Sequence, residues 1–283
     1  MSSSPPVVLT IAGFDPSSGA GVTADIKTIA AHGCYGIAAI TAMTIQSTAG
    51  VRRVSPFDPG LLADTLDELV SDMTVSAVHI GMLGSGEIAA RVAVFLERVK
   101  PPKVVLDPIL NSSSGASLLD DAGVSNLKER LLPQATVITP NIDEATALTG
   151  VPIQSVDDMK LAARRLQEMG AQSVVVTGGH LEAAMDLLCE KGQPAQTFRS
   201  HRLPSNNTHG TGCAFSTAIA CHLARGMSLS LSSAVLAAKA YVTAAIASAY
   251  PVGKGTGPVN HMHVMKNHPQ AAEMVKKLAS GKD

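Results

Sequence analysis

Val7-Val8-Leu9-Thr10-Ile11-Ala12-Gly13-Phe14-Asp15-Pro16-Ser17-Ser18-Gly19-Ala20-Gly21 passes from a short apolar run into a turn-rich loop. The run, Val7 to Ala12, ends at glycine, which predicts a buried strand. A helix is predicted next, through Ala24, Ile26, Ile29 and Ala30, stopping near Gly33. Strand, loop and helix then recur. Strands are predicted at Gly36 to Met43, with Gln46 just beyond, and at Ala77 to Ile80, Val104 to Leu106, Val137-Ile138 and Ser173 to Val176. Helices are predicted from Asp58-Pro59-Gly60 to about Asp72, from the N-cap Ser85 to Val99, and to about Leu132. Asp143 and Glu144 open another, and Ser155 caps one that closes at Gly170. Residues 185–189 and 197–201 read as antiparallel strands around Gly192-Gln193-Pro194. Helices over 214–224 and from about Leu229 to Ala249, a loop at 253–258 and a short terminal helix complete the chain. Alternating strands and helices imply an α/β fold, with a central mostly parallel sheet flanked by helices on both faces. No linker divides it, so 7–283 reads as a single domain behind a flexible tail at 1–6.

Composition narrows the chemistry. The 283 residues are 46% hydrophobic, 16% charged and 3% aromatic, with net charge −1. No basic stripe or stacking platform points to nucleic acid, and nothing points to a membrane surface. The apolar runs fall short of the roughly 18 residues that cross a bilayer, and no basic n-region precedes Val7. Cys34, Cys189, Cys213 and Cys221 form no C-x-x-C pair, which fits free thiols in the cytoplasm.

The polar clusters fall at the predicted strand ends, where ligands sit in such sheets. Asn206-Asn207-Thr208-His209-Gly210-Thr211-Gly212-Cys213 runs straight into the apolar helix at 214–224. Unpaired N–H groups and the helix dipole make that junction an anion site holding a thiol, although a helix cap alone explains the stretch as well. At a helix N-terminus the Cys213 thiol is expected to have a lowered pKa. Asp107 follows one strand and Glu144 opens a helix after Thr139-Pro140-Asn141, so two carboxyls and an amide could hold Mg²⁺. Gln46 offers a donor and an acceptor to a ring nitrogen beside an amino group, and Asp25 an acceptor. There is no G-x-x-x-x-G-K-[ST] and no G-x-G-x-x-G after the first strand.

These stretches, with Ile80-Gly81-Met82-Leu83, Gly178-Gly179-His180 and Gly255-Thr256-Gly257-Pro258 before His261 and His263, run in the order of a known family. The chain resembles the hydroxymethylpyrimidine/phosphomethylpyrimidine kinases of thiamine biosynthesis, within the ribokinase-like superfamily. The resemblance implies that ATP and Mg²⁺ phosphorylate the alcohol of 4-amino-5-hydroxymethyl-2-methylpyrimidine, and then its monophosphate. It implies a homodimer, and an aminopyrimidine pocket of Gln46, Asp25, Gly13 and Met82. Asp107, Asn141, Glu144, Thr177, Gly179 and Thr208 would line the nucleotide, with Asp107 and Glu144 toward the metal. Cys213 would accept the alcohol proton while Gly210, Thr211 and Gly212 stabilise the phosphoryl group. Cysteine at 213, where sugar kinases of the superfamily carry aspartate, points to vitamin-precursor kinases. Thr177 stands where many relatives have lysine. Lys239 and Lys254 are candidates to replace that charge, although both read first as surface residues. The chain stops soon after His263, so a fused thiamine-phosphate synthase domain is not expected. A pyridoxal kinase is the nearest rival reading, and a nucleotide-binding regulatory module without catalysis a remote one. Ser112 to Ser117 and Leu203 to Asn207 are candidate lids, or plain solvent loops.

Overall fold

The computed structural model describes residues 4–112, 114–178, 184–226 and 230–265. Among these described residues, nine strands form one sheet in the order β3-β2-β1-β4-β5-β6-β7-β8-β9. They are β1 Val7–Phe14, β2 Tyr35–Ser47, β3 Gly50–Pro56, β4 Val75–Ile80 and β5 Val104–Leu106, then β6 Val137–Ile138, β7 Ser173–Gly178, β8 Ala184–Glu190 and β9 Gln196–Ser200. The central strands from β2 to β7 pair in parallel, and β3, β8 and β9 add antiparallel edges.

Alternation along each strand builds two cores. Leu9, Ile11, Val78, Ile80, Val104, Leu106, Val174 and Val176 face one side, under α2 (Pro59–Asp72), α3 (Gly86–Val99), α5 (Ile142–Thr149) and α6 (Val156–Glu168). Val8, Ala77, Val105, Val137 and Val175 face the other, under α1 (Gly21–Ala31), α7 (Thr211–Ala224) and α8 (Leu231–Ala247). Burial on both faces is why these strands read as unbroken apolar runs. Each fully buried large aliphatic side chain, such as Leu9 or Ile80, contributes roughly 1.5–3 kcal/mol. Helix α7 buries every residue from Ala214 to Cys221, wedged between the sheet, α1 and α8.

Three expectations change. Strand β3 is absent from the sequence reading, because Gly50-Val51-Arg52-Arg53-Val54-Ser55-Pro56 is a largely exposed edge strand with charges and a proline. The helix expected up to Leu132 is instead α4 (Asp121–Asn126), a π turn and a 3₁₀ turn that contains Pro133. The expected terminal helix lies outside the described residues.

After β2, the chain places β4 on the other side of β1, so the strand order reverses there. A crevice opens beyond the carboxyl ends of the parallel strands at such a reversal.

Candidate active site

The crevice is a cleft of about 850 Å³. Its lining follows the sheet edge: Gly13 at the end of β1 and Asp15 just after it, Gln46 at the end of β2, and Gly81 and Met82 after β4. Asp107 follows β5, Thr139, Asn141 and Glu144 follow β6, and Thr177 closes β7. Thr208, Gly210, Thr211, Gly212 and Cys213 approach from the α7 side. The structure therefore brings together the candidate site residues named above except Gly179, which lies outside the described residues, and Lys254, which is exposed and does not line the cleft. Loop residues Ser112, Ser114, Leu203 and Ser205 also border the cleft.

At the β1–β2 end, Asp15 accepts hydrogen bonds from Ser17 Oγ (2.6 Å), the Ser17 N–H (2.8 Å) and the Ala20 N–H (2.9 Å). His209 Nε2 lies 2.8 Å from Asp15 Oδ2 and 3.2 Å from the Gln46 amide. An ionised carboxylate only accepts, so Nε2 carries the proton of that bond. Burial would raise the Asp15 pKa, but hydrogen bonds from His209 and Ser17 hold it below its usual value. Gly13 packs against Met82 so closely that a Cβ would stand 2.9 Å from the sulfur.

Beneath the middle of the cleft runs a buried polar chain. Thr217 Oγ1 donates to Asp25 Oδ1 (2.9 Å), and Thr10 Oγ1 donates to Asp25 Oδ2 (2.7 Å). His79 Nδ1 lies 3.4 Å from Asp25 Oδ2. His79 Nε2 is 2.9 Å from Ser216 Oγ, which stands 3.2 Å from Asp107 Oδ2. Asp25, expected to meet a ligand, is fully buried and has partners on both carboxylate oxygens. It borders the cleft from below and holds His79. Burial opposes charge on His79, but Asp25 raises its pKa overall.

Asp107 and Glu144 are strained as anions. Burial pushes Asp107 up to about 6 despite His79 and Ser216. Burial and the Asp107 charge push Glu144 up to about 8. A divalent cation relieves such a pair, so the donor set fits Mg²⁺, which binds through few protein oxygens. The Asn141/Glu144 motif also has a local job. Asn141 Oδ1 accepts from the Glu144 N–H and Glu144 Oε2 from the Asn141 N–H, each at 2.9 Å, a capping box that starts α5.

Helix α7 begins at the anion-site stretch. Gly210 has φ +82°, and a Cβ there would lie 1.8 Å from the Gly19 carbonyl oxygen, so two ligand loops touch through backbone. A Cβ on Gly212 would stand 3.9 Å from Asp107 Oδ2. The thiol departs from expectation: burial, Asp107 and Asp25 raise the Cys213 pKa well above the usual value. The helix N-terminus acts over one turn, and here buried carboxylates outweigh it.

At the β7–β9 end, Lys239 Nζ donates to Asp186 Oδ2 (2.8 Å), and Asp186 Oδ1 accepts from the Gly178 N–H (3.3 Å). Lys239 is 9% exposed, against its expected surface position, whereas Lys254 is exposed. Asp15, His79, His209, Ser216 and Asp186 went unremarked as site residues in the sequence. The available signals were a histidine inside the apolar strand Val75–Ile80 and an aspartate inside β8.

Comparison with known proteins gives a consistent picture. The family profile described as phosphomethylpyrimidine kinase matches residues 15–260. The chain is 46% identical to a thiamine biosynthesis bifunctional protein from Geobacter sulfurreducens, over 90% of this chain and 52% of that protein, so it spans about half of that relative. It is 42% identical to a hydroxymethylpyrimidine/phosphomethylpyrimidine kinase from Streptomyces coelicolor, over 91% of this chain and 94% of that one. A Bacillus subtilis pyridoxal kinase, solved as an ADP complex, superposes with a TM-score of 0.85 at 35% identity, covering 93% of this chain and 100% of its own.

Proposed function

The chain belongs to the phosphomethylpyrimidine kinase family, and on that premise we propose the following reading of its cleft. The protein transfers the γ-phosphoryl group of ATP to the hydroxymethyl group of 4-amino-5-hydroxymethyl-2-methylpyrimidine. It then phosphorylates the monophosphate to the diphosphate, in thiamine biosynthesis. The carrying observation is the order of groups along one sheet edge. A donor–acceptor pocket lies at β1–β2, an N–H-lined helix start in the middle, and paired carboxyls beside it.

Gln46 reads the aminopyrimidine edge, with Gly13 and Met82 against the ring. His209, fixed by Asp15, joins that pocket to the α7 start, so acceptor and phosphate loops are placed together. Asp25 acts indirectly by orienting His79. The Gly210 and Gly212 N–H groups face the transferring phosphoryl group, whose loose transition state depends mainly on positioning and electrostatics, whereas the Thr211 N–H donates to the Thr208 carbonyl (3.2 Å) and shapes the loop. The Cys213 thiolate takes the alcohol proton after the resting neutral thiol has lost its own proton to solvent. Asp107 and Glu144 would hold Mg²⁺, which neutralises phosphate charge when bound. Asn141, Thr177, Gly179 and Thr208 border the nucleotide. We read residues 7–283 as one kinase domain that works as a cytoplasmic homodimer.

The pyridoxal kinase likeness gives a specific second reading. ADP release should be measured with the aminopyrimidine alcohol, its monophosphate and pyridoxal under identical conditions. Turnover of the first two above pyridoxal is expected. Preference for pyridoxal overturns the main reading, and no ADP from any of them leaves only a binding module.

A further inference from the structure

Gln46, His209 and Asp15 meet at the β1–β2 end of the cleft, where the available protons decide the geometry. The Gln46 amide lies with Nε2 3.2 Å from His209 Nε2 and Oε1 3.2 Å from Thr44 Oγ1. His209 Nε2 already carries a proton toward the Asp15 carboxylate at 2.8 Å, so an amide N–H facing it brings two donors together. Thr44 has the opposite conflict. Its single hydroxyl proton faces two acceptors, Gln46 Oε1 and the Phe14 carbonyl at 3.0 Å. The two ends of a primary amide are nearly equal in shape, so hydrogen bonding decides between them. A half-turn of the amide removes both conflicts. Its oxygen then shares the His209 proton, its amino end donates to Thr44, and Thr44 donates to Phe14. Donors run in one direction through the whole chain, which strengthens each bond in it.

The start of that chain is held firmly. Asp15 is buried and accepts from Ser17 and Ala20 as well as from His209. The His209 ring packs on Gly19 so closely that no Cβ fits there. Neither side chain is free to turn toward a ligand, so the amide takes its orientation from them. The free edge of the turned amide presents an acceptor on the His209 side and a donor on the Thr44 side. A ring nitrogen beside an amino group matches that edge in one direction only, with the amino group toward His209. In the acceptor proposed above, the carbon that bears the hydroxymethyl group adjoins the carbon that bears the amino group. That direction therefore places the alcohol on the His209 side, from which Gly210 to Cys213 continue into α7. The reverse direction turns the alcohol away from α7.

We infer that Asp15 and His209 are positioning residues that fix the Gln46 amide with its oxygen toward His209, and that they thereby select an aminopyrimidine by its amino group and set the direction in which it lies. The inference rests on the kinase reading for the class of acceptor. Its test uses binding without nucleotide, so the two can fail separately.

Calorimetric titrations compare 4-amino-5-hydroxymethyl-2-methylpyrimidine with the same compound lacking the amino group. The wild type should favour the amino compound at least about tenfold, because the other ligand forfeits a hydrogen bond that the site is built to make. His209→Leu removes the donor, while Asp15 keeps its bonds from Ser17 and Ala20, so folding is protected. That variant should reduce the preference below about threefold, and His209→Gln, which returns an N–H near the same place, should recover it. A long-range proton–nitrogen NMR spectrum of the wild type should show a proton on His209 Nε2. An unchanged preference in His209→Leu, including equal weakening of both compounds, overturns the inference. So does a preference that His209→Gln fails to recover, or an Nε2 without its proton. A wild type that binds both compounds alike removes Gln46 from recognition of the ring and overturns the inference with it. ADP release by the wild type with ATP and the amino compound, measured alongside, reports separately on the kinase reading.

Discussion

Cys213 sits on the first turn of α7 among opposing fields. Backbone N–H groups favour the thiolate, whereas burial and the Asp107 and Asp25 charges oppose it. A base with a pKa well above the usual thiol value is strong but rarely deprotonated. If the thiolate accepts the alcohol proton, kcat/KM should climb with pH between 7 and 9, about tenfold per unit, without a plateau. Cys213→Ala should flatten that slope and lower kcat/KM by about 10²-fold at pH 8. A slope that survives the substitution would belong to the carboxylates, and a flat wild-type profile would remove the thiol from the proton transfer.

At the scale of elements, the α7 start and the loop after β1 are joined by backbone contact and by the Asp15–His209 bond. Gly210→Ala meets two obstacles, a positive φ and a methyl group on the Gly19 carbonyl. The strained conformation alone costs on the order of 1–3 kcal/mol. Relief of the clash displaces the acceptor loop, and a displacement near 1 Å costs about 10²-fold in rate. Urea unfolding and steady-state kinetics on the same preparation should show both losses. Unchanged kcat/KM would mean that the two loops are not coupled in function.

For the whole molecule, acid sensitivity is set on the face opposite α2–α6. Burial, with His32 and Arg225 nearby, pushes His222 down to about 4, and burial with Lys27 nearby does the same to His261. A depressed histidine pKa means that the unfolded chain binds more protons below its usual value of about 6.5. Stability from these two groups is present above pH 6.5 and lost as pH falls toward 4. Asp107 and Glu144, with raised values, have the opposite sign between about pH 4 and 8. Both proteins in a comparison of wild type with His222→Gln share those acids, so they cancel. The variant's Tm should fall less steeply between pH 6.5 and 4. Parallel Tm curves would show that His222 is protonated in the native state.

The linear chain carried the layered α/β fold, because strands buried on both faces need apolar side chains in both registers, as Val104-Val105-Leu106 has. It also carried the glycines, acids and cysteine of the cleft, since each follows a strand or starts a helix. Edge strand β3 was hidden because an exposed edge needs no apolar pattern. The site's electrostatics belong to tertiary structure alone. Burial of Asp25 under Thr10 and Thr217, pairing of Lys239 with Asp186, and the upward shift of the Cys213 pKa arise between residues far apart in sequence. Local sequence specifies which titratable groups are present. Their protonation depends on the charges and desolvation that folding brings to them.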